Sequence, residues 1–248
     1  MTKHFNQWLQ KVRKLNEVRK SKRLVFIVST MRSGSTLLKS LIAQAPDTSH
    51  LPEIDFQKYT DGKAWKLKAM SKANIIVLKK PAPLQQEDYP QFPAFTDHRI
   101  LLLVRDVYPT VHSVKRMLRD NYPQLDADWP LEKLVEYYWC PTIQRMLHIH
   151  QQDHKKTMLI KYEDLLEQPI AITQGIFQFI GSAQQEGIDQ YAQPKDYQWQ
   201  WGNDDGGEKI KTLKVQKQHS DQNDTELLNI IQQSEQARQL RQQLAYAN

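Results

Sequence analysis

This sequence predicts an α/β fold, a single domain with a central parallel sheet flanked by helices, on three observations. Four apolar runs without polar alternation, Leu24 to Ser29, Ile75 to Leu78, Ile100 to Val104 and Met158 to Ile160, suit strands covered on both faces. The gaps between them carry helical periodicity, notably Thr36 to Gln44, Pro109 to Arg119, Leu131 to His150 and Ile170 to Ile180. A chain of 248 residues is long enough for one such domain with a full core, and alternating strands and helices pair in parallel through crossovers.

The remaining segments follow in order. Residues 1–22 are rich in Lys and Arg and place Phe5, Trp8, Leu9, Val12, Leu15 and Val18 at helical spacing, an amphipathic helix expected to dock on its own domain. Asp120 to Pro130 and Tyr191 to Gly207 mix aromatic, acidic, Pro and Gly residues without periodicity, and read as loops that cover or select a substrate. Residues 223–248 keep Leu227, Leu228, Ile231, Ala237, Leu240 and Leu244 on a helical pattern, predicting a C-terminal helix.

Composition narrows the partners. The 34 Lys and Arg outnumber the 28 Asp and Glu, a net charge of +6 that suits an anionic ligand. The motifs of nucleic-acid modules are absent, so no nucleic-acid partner is expected. Cys140 stands alone and cannot form an intrachain disulfide. With no apolar run of membrane-spanning length, no integral membrane segment is expected and the location predicted is cytoplasmic. His148, His150 and His154 lack an acidic or Cys partner at zinc-ligand spacing, and neither a GxSxG elbow nor an HExxH is present.

Ligands of parallel sheets lie outside the carboxyl ends of the strands, so the residues after each run carry the functional signal. The first run ends at Ser29 and is followed by Thr30 to Ser35 and a helix from about Thr36. Successive backbone N–H groups at a helix N-terminus attract an anion. Gly34 lets the backbone approach it, Ser33, Ser35 and Thr36 offer hydroxyls, and Arg32 adds a permanent charge. The turn reads as a phosphate or sulfate cradle of a P-loop-type domain, against an ordinary capped βα turn. A Walker A loop would place Lys where Ser35 stands and Gly at its start, so a phosphotransferase (kinase) using Mg-ATP is the second reading.

The stretch TMRSGSTLL resembles the 5′-phosphosulfate loop of sulfotransferases that use 3′-phosphoadenosine 5′-phosphosulfate (PAPS), closest in style to the protein-tyrosine and bacterial branch. Further segments in the family's order extend the resemblance over about residues 24–217. LLLVRDVYPTVHSV is similar to the 3′-phosphate motif, which implies that Arg105 and Ser113 bind one phosphate; Pro109 opens a helix that turns Ser113 back toward Arg105. KYEDLLEQP resembles the segment that follows a core strand and leads to Phe179, Ile180 and Gly181, and reads as architectural, with Glu163 expected as a paired surface carboxylate rather than, with Tyr162, a buttress of the cofactor loop. GGEKIKTLKV resembles the late basic segment over the nucleotide, implying roles for Lys209 and Lys211.

The resemblance further implies PAPS as sulfuryl donor, PAP as product, no required metal, and a cofactor cradle of Arg32, Ser33, Gly34, Ser35, Thr36 and Leu37. In-line transfer needs a base and cations around the moving sulfuryl group. Glu53, in the loop after the cradle helix, matches the position of the branch's carboxylate base, with His50 and Asp55 as competitors. IIVLKKPAP is similar to the branch's Lys-x-Pro, which makes Lys79 a catalytic candidate beside Arg32, while strand alternation turns Lys80 away. The expected acceptor is a hydroxyl or amine of a small molecule, with a peptide as the other possibility. Tyr122, Trp129, Tyr137, Tyr138, Trp139, Tyr197, Trp199 and Trp201 read equally as aromatic walls for it and as core residues. The oligomeric state is not legible.

Overall fold

The computed structural model describes residues 22–60, 62–85, 87, 89–93, 97–194, 207–216 and 223–246. The N-terminal helix expected over residues 1–22 therefore lies outside the described residues, apart from Lys22. Four strands occupy the expected apolar runs: β1 (Arg23–Ser29), β2 (Ile75–Pro81), β3 (His98–Val104) and β4 (Thr157–Lys161). They form one sheet in the order β2-β1-β3-β4, and every pairing is parallel.

The helices follow as α1 (Ser35–Ile42), α2 (Trp65–Ala69), α3 (Val107–Asn121), α4 (Pro123–Asp128), α5 (Leu131–Leu134) and α6 (Cys140–Gln152). The chain continues with α7 (Tyr162–Glu167), α8 (Pro169–Ile180), α9 (Thr225–Gln233) and α10 (Glu235–Gln243). A π-helical turn, Val135–Trp139, joins α5 to α6, so the long helix expected from Leu131 contains one widened turn. The predicted C-terminal helix is two helices, because Ser234 leaves the helical conformation and its side chain accepts from Ala237 N to start α10. The segment 120–130, expected as a loop, contains α4; Pro123 fits a first helical turn, and α4 buries none of its side chains.

Strand alternation divides the core in two. Leu24, Phe26, Val28, Ile76, Leu78, Ile100, Leu102 and Val104 face one layer, with α3, α5, α6, α9 and α10. Val25, Ile27, Ile75, Val77, Leu101, Leu103 and Ile160 face the other, with α1, α7 and α8. Both faces of the sheet are thus covered, which is why its strands read as unbroken apolar runs. Phe26 shows the packing: its ring meets those of Phe56 and Phe92 at 4.8 and 5.5 Å.

Topology places the functional end. From β1 the chain passes through α1 on one face to β2, then crosses over to β3 on the other side of β1, from which α3 leaves on the opposite face. The exits of β1 and β3 therefore diverge to opposite faces and open a crevice at the carboxyl end of the sheet, the usual ligand position in such folds. Among the described residues no helix is long and apolar enough to cross a membrane.

Cys140 is fully buried at the start of α6. Burial, and secondarily the Glu136 carboxylate, pushes its thiol up to about 12, against a hydrogen bond from Ser234. Because the thiolate is the reactive species, native protein at pH 8 should leave a thiol reagent unreacted while denatured protein takes up one equivalent. Stoichiometric labelling of the folded chain would contradict this burial.

Candidate active site

The crevice holds a cavity of about 870 Å³. One end is the β1–α1 turn. Here Arg32 and Gly34 both take positive φ, 62° and 85°, so the turn folds back on itself and α1 begins without a side-chain cap or an acidic residue in its first turn. Capping residues normally quench the first N–H groups of a helix, so these donors and the positive end of the dipole are left for an anion. Gly34 is demanded twice over. Its φ is left-handed, and a Cβ there would sit 2.2 Å from the Tyr162 ring. Tyr162, the first residue of α7, thereby closes the floor of the cradle.

Arg32, Gly34, Ser35, Thr36 and Leu37 all line the cavity. Ser33 behaves differently: fully buried, its hydroxyl pairs with that of Thr30 and closes the turn from within. Ser33 is absent from the cavity wall.

The exit of β3 supplies the second group. Arg105 Nη1 donates to Arg32 O at 2.7 Å, and its guanidinium lies over the Tyr162 ring at 4.6 Å. Arg32 Nε in turn donates to Ser113 Oγ on α3 at 3.2 Å. Arg32, Arg105 and Ser113, separated by up to 81 residues in the chain, thus share one corner of the cavity. Arg105 Nε is buried with no hydrogen-bond partner, so the guanidinium retains donor capacity. Uncapped N–H groups, the half-buried guanidinium groups of Arg32 and Arg105 and the close approach that Gly34 allows fit a ligand with two anionic groups, as PAPS has.

The β3 exit is itself braced. Asp106 accepts from Val107 N at 2.7 Å to cap α3, and Arg241 of α10 grips the same carboxylate at 3.0 and 3.2 Å. Glu163 accepts from Asp106 N at 3.1 Å and from the Tyr246 hydroxyl at 2.9 Å. Glu163 is therefore a brace of the Arg105 loop.

Another part of the cavity wall is built from β2 and the loop after α1. Alternation puts Lys79 on the α1 side of the sheet, where its ammonium donates to Thr36 Oγ1 at 2.8 Å and pairs with Glu53 Oε2 at 3.0 Å. Lys79 is 2% exposed, whereas the Glu53 side chain is 36% exposed and faces the cavity. The loop carrying Glu53 is fixed at its root. Ser49 Oγ accepts from Val77 N at 2.8 Å along the β2 edge, and the buried Lys39 donates to Leu51 O at 2.7 Å. Lys80 emerges on the other side and binds Asp55 at 2.6 Å, which engages one of the competing carboxylates. Neither His50 nor Asp55 lines the cavity.

The late basic segment is a 3-10 helix, Gly207–Thr212. The Lys209 side chain lies outside the described residues; Lys211 is exposed and not part of the cavity wall, and among the described residues of this segment the lysine that lines the cavity is Lys214. Of the aromatic candidates, Tyr122 and Trp129 line it, with Leu84, Met117 and Leu125 beside them. Tyr138 and Trp139 are instead fully buried in the core, and Tyr137 is 68% exposed away from the cavity. Tyr197, Trp199 and Trp201 lie outside the described residues. Sequence reasoning overlooked Lys39 as a structural cation. Its signal is a lysine within the apolar stripe of α1.

Gly34→Ala should destabilise the fold by about 2–4 kcal/mol in denaturant titration, combining left-handed strain with overpacking. Combining it with Tyr162→Ala should recover the overpacking part; a double variant no better than additive would show that the ring is not what excludes the Cβ.

No curated protein sequence matches the chain significantly. Similar solved structures include a sulfotransferase domain from the Synechococcus PCC 7002 olefin synthase (16% identity, TM-score 0.55, covering 92% of this chain and 96% of that one). Another is the sulfotransferase domain from the curacin biosynthetic pathway (17%, 0.56, 91% and 98%). A third is a mouse sulfotransferase complexed with PAP (18%, 0.54, 92% and 93%). At these identities the likeness is one of fold. Residues 22–198 match the family model described as a sulfotransferase domain, a span that takes in all four strands and the corner where Arg32, Arg105 and Ser113 meet, and the chain belongs to that family.

Proposed function

We propose that the protein transfers the sulfuryl group of PAPS to a hydroxyl or amine of a small-molecule acceptor. The convergence of Arg32, Arg105 and Ser113 beside the uncapped start of α1 carries this reading, because it offers two adjacent anion sites where ATP would need only one. The PAP bound in the mouse relative supports the same assignment. In this reading the α1 cradle takes the 5′-phosphosulfate, and Arg105 with Ser113 takes the 3′-phosphate. Tyr191, Leu166 and Ile210 line the same cavity and suit the adenosine between them.

Glu53 accepts the proton of the acceptor as its oxygen or nitrogen forms the new bond to sulfur. The bond from sulfur to the bridging oxygen breaks, and that oxygen keeps the electron pair as PAP leaves. Lys79, buried and held by Thr36, supplies a fixed cation to the moving sulfuryl and bridging oxygens, and Arg32 a second. Because Lys79 also pairs with Glu53, one ammonium orients both base and sulfuryl group. These charges suffice for the step without a metal. The apolar wall of Leu84, Met117, Leu125, Tyr122 and Trp129 suits an acceptor with an apolar or aromatic body.

Calorimetric titration should show PAP, in EDTA, binding far more tightly than AMP, and magnesium-ATP, titrated separately with excess magnesium and no EDTA, binding weakly. Preference for magnesium-ATP would overturn the reading in favour of a phosphotransferase. Arg105→Ala should weaken PAP by about 10- to 100-fold, the worth of charge-assisted contacts to phosphate, and weaken AMP less, through the lost bond to the Arg32 carbonyl, so that the PAP-to-AMP preference falls. With an acceptor in hand, Glu53→Gln should lower kcat by about 10²- to 10⁴-fold with little change in KM for PAPS. A kcat close to wild type would remove Glu53 as the base.

A further inference from the structure

The three segments that carry the site leave three different strand ends, and two consecutive buried side chains tie them together. The Tyr138 hydroxyl accepts from Met31 N in the cradle turn at 2.5 Å and donates to Ala82 O just beyond β2 at 3.1 Å. The next residue, Trp139, donates from Nε1 to Arg105 O at 3.0 Å. Tyr138 thus joins the cradle to the strand of Lys79, while Trp139 holds the backbone of the β3 exit.

Adjacent residues of an α-helix diverge by about 100°, which makes two neighbours reaching one site unusual. Both lie in the π turn Val135–Trp139, and such single widened turns inside α-helices recur at functional sites. Both side chains are fully buried. Burial raises the Tyr138 phenol far above its ordinary range, so it stays protonated and keeps its donor for Ala82 O.

We propose that Tyr138 and Trp139 are positioning residues that set the two halves of the cofactor site separately. Tyr138 sets the geometry of the 5′ cradle against Lys79, and Trp139 sets the reach of Arg105 toward the 3′-phosphate. The inference rests on the PAPS reading, and the following experiment tells the two apart.

Affinities for PAP and AMP are measured for the wild type, Tyr138→Phe, Trp139→Phe and the packing control Ile143→Val, with thermal stability in parallel. The PAP-to-AMP ratio reads the 3′ site, and AMP affinity reads the 5′ cradle. Tyr138→Phe is expected to weaken both ligands about tenfold with the ratio unchanged, as the loss of a buried hydrogen-bond pair implies. Trp139→Phe is expected to lower the ratio about tenfold with AMP affinity unchanged. Ile143→Val, in the same buried layer, should lower the melting temperature without moving either quantity. Losses that follow melting temperature alone, or equal losses for both ligands in both aromatic variants, would overturn the positioning roles while a wild-type preference for PAP still stood. A wild type that binds AMP as tightly as PAP would overturn the PAPS reading and this inference with it. Each variant is scored by itself, so failure of Tyr138→Phe to fold leaves the Trp139→Phe ratio decisive.

Discussion

The hydrogen bond from Arg105 to the Arg32 carbonyl is the contact on which the rest of the site depends. It joins the exits of β1 and β3 at the point where the chain leaves the sheet toward opposite faces, and it stabilises a turn with a non-glycine residue at positive φ. A left-handed Arg costs about 1 kcal/mol or more by itself, so it persists only where its surroundings hold it. Arg105 stacks on Tyr162, Tyr162 closes over Gly34, and the Arg32 side chain crosses to Ser113. Together they make a cradle whose shape is set by backbone and ring packing, with its charges left for a ligand.

Those charges explain why so much of the surrounding structure is bracing. Arg32, Lys79 and Arg105 line a single cavity with Glu53, an arrangement of like charges that an anion relieves. Lys79 is almost completely buried, and burial of an ammonium is costly unless it is hydrogen-bonded; Thr36 and Glu53 meet that demand. Lys39 anchors the Glu53 loop through a backbone carbonyl, so the candidate base is held by a cation that lies outside the cavity wall. Preorganised charge of this kind stabilises a transition state because it needs no rearrangement when charge develops.

The C-terminal helices have a place in the same scheme. Their apolar residues Leu227, Ile231, Ala237, Leu240 and Leu244 complete one core layer, and their polar residues reach the β3 exit. Arg241 holds Asp106, and Tyr246 donates to the Glu163 carboxylate that receives Asp106 N. The β3 exit that carries Arg105 is therefore supported by a residue 135 positions away from Asp106 in the chain. These contacts explain why a tail remote from the cradle in sequence belongs to the same structural unit.

Much of this was legible in the linear chain. The unbroken apolar runs gave the four strands within a few residues, since a sheet covered on both faces imprints itself as continuous hydrophobicity. Hydroxyls, Gly34 and Arg32 between a strand and a helix marked the turn that lines the cavity, and alternation along β2 separated Lys79 from Lys80 correctly. Local patterns of this kind arise from backbone geometry and period, which neighbouring residues alone dictate. Tertiary structure decided the rest: that Ser33 turns inward, that Tyr138 and Trp139 are core rather than acceptor wall, that Glu163 braces the Arg105 loop, and that Lys214 rather than Lys211 lines the cavity. Each is a choice of partner across tens of residues, settled by which surfaces pack together, and periodicity carries no record of it.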